Sequence, residues 1–294
     1  MSHVRKLLLV SILFLYFKGN SQPYVDIANF NYQNFSAANR DNPALKNNTD
    51  IYSLGVFLPH ELKNGNTLLL RINSELIQTS ISPRLYATSN VSSISLPIGY
   101  QWLSENKKWK SVLMGIPKVA SDFKSSIDNN DFQYGMLFIQ NYKWNSKVQL
   151  KVGLYYNKEA FGNFFVPLVG VDWKASDKLQ FFGLLPTNYK IEYTIAKKKW
   201  YTGINFKALT RSFQLSKSQN NDYIRFDEVV LKGFLEYYFL KNMVAYCEIG
   251  HAFGEIPLQY NSTTDELSKS NLNYNAAKEY LLFSFGLAYR ISTN

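Results

Sequence analysis

Residues 131–209 run through six consecutive stretches in which apolar and polar side chains alternate, at 132–144, 147–157, 164–173, 178–185, 189–196 and 199–209. The connections at 145–146, 175–177 and 197–198 are too short for anything but hairpins, so the stretches must be antiparallel strands lying side by side. Val148, Leu150, Val152 and Leu154 alternate with Lys147, Gln149, Lys151 and Gly153. A period of two sends the two sets to opposite faces of a sheet, one against lipid or core and the other against water.

The same alternation precedes this block at 24–35, 50–58, 66–78, 91–103 and 108–119, and follows it at 227–240, 243–254 and 279–291, giving about fourteen strands. Long connections at 36–49, 79–90, 120–130, 216–226 and 255–278 alternate with short ones at 60–65, 104–107, 145–146, 175–177, 197–198 and 241–242. An even strand number with long loops on one side and tight turns on the other is the plan of a bacterial outer-membrane barrel. Connections 158–163 and 186–188 are short where that parity asks for long ones. The expected fold is all-β: a transmembrane, antiparallel up-and-down barrel of about 14 strands with both termini on the periplasmic side. A secreted sandwich or solenoid would alternate too, but without a lipid-facing aromatic band.

The first residues supply the address. Arg5-Lys6, an apolar run at 7–17 and the small residues of Gly19-Asn20-Ser21 before Gln22 form a cleaved secretory signal over 1–21, leaving a barrel domain at 22–294. The apolar run is well short of the ~20 residues a membrane-spanning helix needs. Export to the outer membrane of a Gram-negative cell follows, with outer-membrane lipid and the barrel-assembly machinery as the implied partners and any further protein partner open. The net charge of +10 falls to +7 once Arg5, Lys6 and Lys18 leave with the signal. It is scattered over strands and turns, which argues against a nucleic-acid partner. Cys247 is the single cysteine, so no intrachain disulfide and no thiolate metal cluster can form.

In the last strand Leu281, Phe283, Phe285, Leu287 and Tyr289 share one face, and Ser284, Gly286, Ala288 and Arg290 the other. Large apolar side chains outward and small or polar ones inward suit lipid outside and a filled or wet lumen inside. The same parity places Arg71, Lys147, Lys151, Lys190, Lys207, Lys232 and Arg290 in the lumen, with Glu75, Glu192, Glu228, Glu236 and Glu248. At 108–119 the parity is ambiguous, because Trp109/Leu113 and Val112/Met114/Ile116 compete for the lipid. Trp102, Trp109, Trp144, Trp173 and Trp200 all lie beside short turns, as an interfacial girdle on that side requires. Pro167 and Pro186 predict an irregular wall, since each removes a ladder donor.

At this point the chain resembles a family of uncharacterised outer-membrane β-barrel proteins. The resemblance is carried by Tyr24-Val25-Asp26-Ile27, by Leu58-Pro59 with Asn64-Gly65-Asn66, and by Ser121-Asp122-Phe123 with Asp131-Phe132-Gln133-Tyr134-Gly135. Its strongest block is Gly153-Leu154-Tyr155-Tyr156-Asn157 through Phe161-Gly162, Phe165-Val166-Pro167-Leu168 and Leu185-Pro186. It implies a barrel in the outer membrane and brings no substrate or catalytic residue. The ending Ser292-Thr293-Asn294 departs from the terminal aromatic of such barrels in general.

Chemistry is sparse. His60 sits in a short turn, and His251 shares a face with Met243, Ala245, Cys247, Ile249 and Phe253, with no serine or carboxylate marked out to complete a hydrolase. Asp122, Asp128 and Asp131 lack the glycine and the bidentate glutamate of a calcium loop. No cofactor, metal site or catalytic residue is expected. The favoured function is a passive pore or transporter for small polar solutes; an accessory role in outer-membrane assembly or secretion is the alternative, and a membrane-embedded lipid hydrolase ranks behind both.

Overall fold

The computed structural model describes residues 23–38, 46–82, 89–216, 222–261, 264 and 279–293. The signal at 1–21 and most of the connection 255–278 lie outside the described residues. The strands are β1 (Tyr24–Ala38), β2 (Lys46–Glu61), β3 (Thr67–Ser82), β4 (Ser89–Ser95), β5 (Ile98–Leu103), β6 (Trp109–Ser121), β7 (Phe132–Lys143) and β8 (Val148–Glu159). They continue as β9 (Gly162–Lys174), β10 (Leu179–Leu184), β11 (Asn188–Ala196), β12 (Trp200–Gln214), β13 (Tyr223–Tyr238), β14 (Met243–Tyr260) and β15 (Glu279–Ser292). Consecutive strands pair antiparallel except β4 with β5, and β1 pairs with both β2 and β15, which closes the ring. β4 and β5 share the neighbours β3 and β6 and are two halves of one strand, so the barrel has 14 strands.

That strand is broken by proline. Leu96-Pro97 faces Pro117 on β6, two missing donors at one level, and the backbone makes do with Leu96 N to Pro117 O at 3.0 Å and Arg71 N to Pro97 O at 2.9 Å. The wall is also irregular where Pro167 and Pro186 predict it. β9 and β10 share only the pairs Gln180↔Lys174 and Phe181↔Trp173 and a bridge at Val169↔Leu185. Side chains replace ladder partners there: Asp172 Oδ1 accepts from Gly183 N at 3.1 Å, and Tyr189 Oη donates to Val171 O at 2.9 Å.

The outer surface is apolar. In β15, Leu281 and Phe283 are 59% and 55% exposed while Leu282 between them is fully buried. An alternation of this kind around a closed ring is a transmembrane barrel. The ambiguous strand resolves with Trp109 and Leu113 outward and Val112 and Met114 inward.

The interior is not a uniform tube. β10 and β11 are short, and the pairing of β11 with β12 ends at Tyr189↔Phe206. Beyond the bond from Ala208 N to Pro186 O, β12 has no paired strand on that side among the described residues until Gln214, although it stays paired with β13 as far as Gln214↔Tyr223. It leans across the lumen and meets β6, with the five strands β7 to β11 between them round the wall, in a parallel contact at Gln214↔Ser121, where Asp122 N donates to Gln214 O at 3.0 Å. At the loop end the wall therefore closes on itself as a smaller ring of nine strands, β12 through β15, β1 to β4, and β6. A ring near eight strands is just wide enough for its own side chains to fill. Phe35, Ile77, Phe213, Leu215, Phe226 and Leu282 do so, all buried, with Phe35 stacked on Tyr280 at 4.1 Å.

The other face of β12 is held by β7 and β8. Gln133 Nε2 donates to Ser212 O at 3.1 Å, and Glu159 Oε2 accepts from Ser212 N and Oγ at 2.8 and 2.7 Å. Lys118 pairs with the same carboxylate at 3.1 Å. Cysteines at Ser121 and Gln214, in a Cys247→Ser background, are expected to form a disulfide on mild oxidation, because bridge partners sit within the roughly 4.4–6.8 Å Cα spacing a disulfide needs. Failure to cross-link in intact membranes, read by a maleimide shift on a gel, would place β12 against the wall instead.

Candidate functional site

Between the packed loop end and the turn end lies a chamber of about 770 Å³. Eight basic residues line it, Arg71, Lys110, Lys151, Lys190, Lys207, Arg211, Lys232 and Arg290, against six acidic ones, Asp26, Glu75, Asp172, Glu228, Glu236 and Glu248. Buried charges are tolerated only when paired, and pairing accounts for most of these. Lys151 meets Asp172 at 2.6 Å, Lys232 meets Glu248 at 3.0 Å, and Arg211 bridges Glu75 and Glu228, each at 3.0 Å. Arg290 holds Asp26 and Glu236, each at 2.6 Å. Lys190 also reaches Glu236, although β12 runs between their strands. On β12 between them Gly203 leaves no room for a side chain: a Cβ there would fall 1.9 Å from Ile191 O and 3.0 Å from the Phe234 ring.

Of the side chains that parity assigns to the lumen, Arg71, Glu75, Lys151, Lys190, Lys207, Glu228, Lys232, Glu236, Glu248 and Arg290 line this chamber. Glu192 is buried beside it, accepting from Tyr24 Oη at 3.1 Å. Lys147 does not belong with them. It is exposed in the turn before β8, and its N–H is bonded by Asn145 Oδ1 at 2.8 Å; the parity persists in the sequence but the wall has ended. Asp26, Lys110, Asp172 and Arg211 line the chamber without having been singled out. Arg211 was hidden because the alternation was read as ending at Leu209, and Lys110 because its strand was ambiguous.

The tryptophans stand at the turn end: Trp102 and Trp173 are next to last in β5 and β9, Trp109 opens β6, Trp144 follows β7 and Trp200 opens β12. Trp102, Trp109, Trp144 and Trp173 are exposed and Trp200 is half-buried on Tyr237 at 4.4 Å. His251 lies between Ile249 and Phe253, both exposed on the lipid side, with Nε2 at 3.4 Å from Glu279. Asp128 and Asp131 cap one short turn of 3-10 helix, with Asp131 Oδ2 accepting from Asp128 N at 2.8 Å. No group of metal-ligating side chains is found among the described residues.

No family model matches the chain, and no curated protein matches it. Among solved structures it is similar to the NanC porin at 7% identity and a TM-score of 0.40, covering 90% of this chain and all of that one. It is similar to the KdgM porin at 11% identity and a TM-score of 0.35, covering 89% and 98%. The COG4313 outer membrane channel from Pseudomonas putida F1 gives 8% identity and a TM-score of 0.45 over 93% and 98% of the two chains.

Proposed function

We propose that this chain is an outer-membrane channel for small polar solutes, exported with removal of residues 1–21, whose loop end is shut in the conformation described. The chamber carries the reading: about 770 Å³ of space lined by eight basic and six acidic residues and reaching toward the turn end, inside a wall that is apolar outside. Structural ion pairs alone do not call for that much space, because side chains can fill a small barrel completely, as they do at the loop end here. Assembly into the outer membrane by the barrel-assembly machinery belongs to the same proposal. The packed loop end favours one second reading, a non-conducting accessory component of outer-membrane assembly or secretion.

Planar-bilayer recording separates the two. Purified protein is expected to conduct in brief, infrequent events. Lys207→Glu should move the reversal potential toward cation preference, because Lys207 has no ion pair to lose among the described residues. Reversal at Lys151 or Lys190 is a poorer probe, since each would break a buried pair. Silence from every preparation, including variants with an opened loop end, would hand the chain to the accessory reading, and a detergent pull-down for a stable partner would follow.

A further inference from the structure

β3 and β12 both run from the turn end to the loop end, and Arg211 of β12 meets Glu75 of β3 across the lumen at 3.0 Å. Arg71 and Lys207 each stand four residues earlier on those strands. They therefore share the inward faces and lie roughly 13 Å nearer the turn end, at about 3.3 Å per residue. Both line the chamber, and neither is within ion-pair distance of a carboxylate among the described residues, although Asp26 acts on Arg71, and Glu75 and Glu228 on Lys207, from farther off. Arg71 Nε donates to Asn73 Oδ1 at 2.8 Å, and its Nη2 lies along the wall over Gly55, 3.4 Å from where a Cβ would be. Lys151, Lys190, Arg211, Lys232 and Arg290 all have carboxylates. An unpaired pair of cations inside a barrel surrounded by lipid favours a counter-anion.

The wall beside them is apolar. Val112 and Met114 on β6 pair with Ile139 and Leu137 on β7, and all four line the chamber as one patch. The row Leu70–Ile98–Gly115 passes one residue from both Arg71 and Met114, so the Arg71 backbone and the patch share a level of the wall, while the guanidinium leans from there toward Gly55 on β2. An apolar patch beside placed charges, in a space within the usual ~300–1,000 Å³, is a common ground plan of small-molecule sites.

We propose that the chamber binds a small organic anion with an apolar body, of the aryl-carboxylate kind, the carboxylate between Arg71 and Lys207 and the body on Val112, Met114, Leu137 and Ile139. This rests on the channel reading and names its solute class. A carboxylate fits a guanidinium fork through two parallel hydrogen bonds, and the ammonium closes the site from the opposite wall.

The test is binding, not conduction. Purified full-length protein in lipid nanodiscs is titrated with para-fluorobenzoate and followed by fluorine NMR. Saturable binding is expected, displaced by benzoate at least about tenfold more effectively than by inorganic phosphate or by the neutral benzyl alcohol. Arg71→Gln with Lys207→Gln should weaken it by at least about tenfold, and Leu137→Asn should weaken benzoate while leaving phosphate unchanged. Equal displacement by phosphate would reduce the site to charge alone, and equal displacement by benzyl alcohol would reduce it to grease; either overturns the proposal, as does wild-type affinity in the double variant. The competition arms need only wild-type protein, so a variant that fails to assemble leaves the test standing. Binding without current would sink the channel reading and keep this site; current without binding would do the reverse.

Discussion

Arg290→Met is expected to lower the stability of the barrel by about 3–5 kcal/mol, the usual consequence of removing one partner of a buried ion pair. The guanidinium lies 3.6 Å over the Tyr24 ring and bonds Asp26 on β1 and Glu236 on β13 from its own strand β15. It thus clasps the seam where the first and last strands close the ring, and the substitution leaves Glu236 buried with only Lys190 opposite it. Arg290→Lys should recover part of the loss, since a single ammonium cannot serve two carboxylates with a fork's geometry. Denaturant titration of the folded form in vesicles measures both. A change in Arg290→Met below about 1 kcal/mol would mean that the cluster behaves like an exposed pair.

How far the sequence speaks depends on how different the two sides of each strand are. β15 alternates without a fault because lipid lies on one side and a packed interior on the other, and its inward residues run Tyr280, Leu282, Ser284, Gly286, Ala288 and Arg290. The strand at 108–119 was ambiguous for a physical reason: Val112 and Met114 face an apolar part of the chamber, so both parities are greasy and the period of two loses contrast. That ambiguity was a trace of the apolar patch itself. β12 was read as ending at Leu209 because the strand leaves the lipid-facing wall there, and residues crossing a lumen need no outward apolar face. Parity could assign Glu75 to the interior but not its partner, because the Arg211–Glu75 pair exists only once β12 leans across. The packing of the loop end does leave a mark in the sequence. Phe35, Phe213, Phe226 and Leu282 occupy inward parity positions near the long loops, where a wet lumen would carry small or polar residues.

Wetting that loop end should open the channel. Phe213 and Phe226 meet edge to face at 5.7 Å in the centre of the nine-stranded ring, both buried. A hydrophobic constriction excludes water and ions by dewetting, so Phe213→Ser with Phe226→Ser replaces the barrier by a polar gap. Mean current is expected to rise at least about tenfold, which corresponds to about 1.4 kcal/mol of shift between shut and open forms. Loss of each ring also costs about 3–5 kcal/mol of packing, so compact unboiled migration on a gel has to be confirmed first. The Ser121–Gln214 disulfide supplies the converse: oxidised, it should hold β12 on β6 and abolish the brief wild-type events, and reductant should restore them. A wetted variant that is folded yet silent would locate the barrier elsewhere, and one that conducts with the disulfide still closed would show that the polar gap passes ions without β12 leaving β6. Only current that appears on wetting and disappears on oxidation makes the crossing of β12 over β6 the gate.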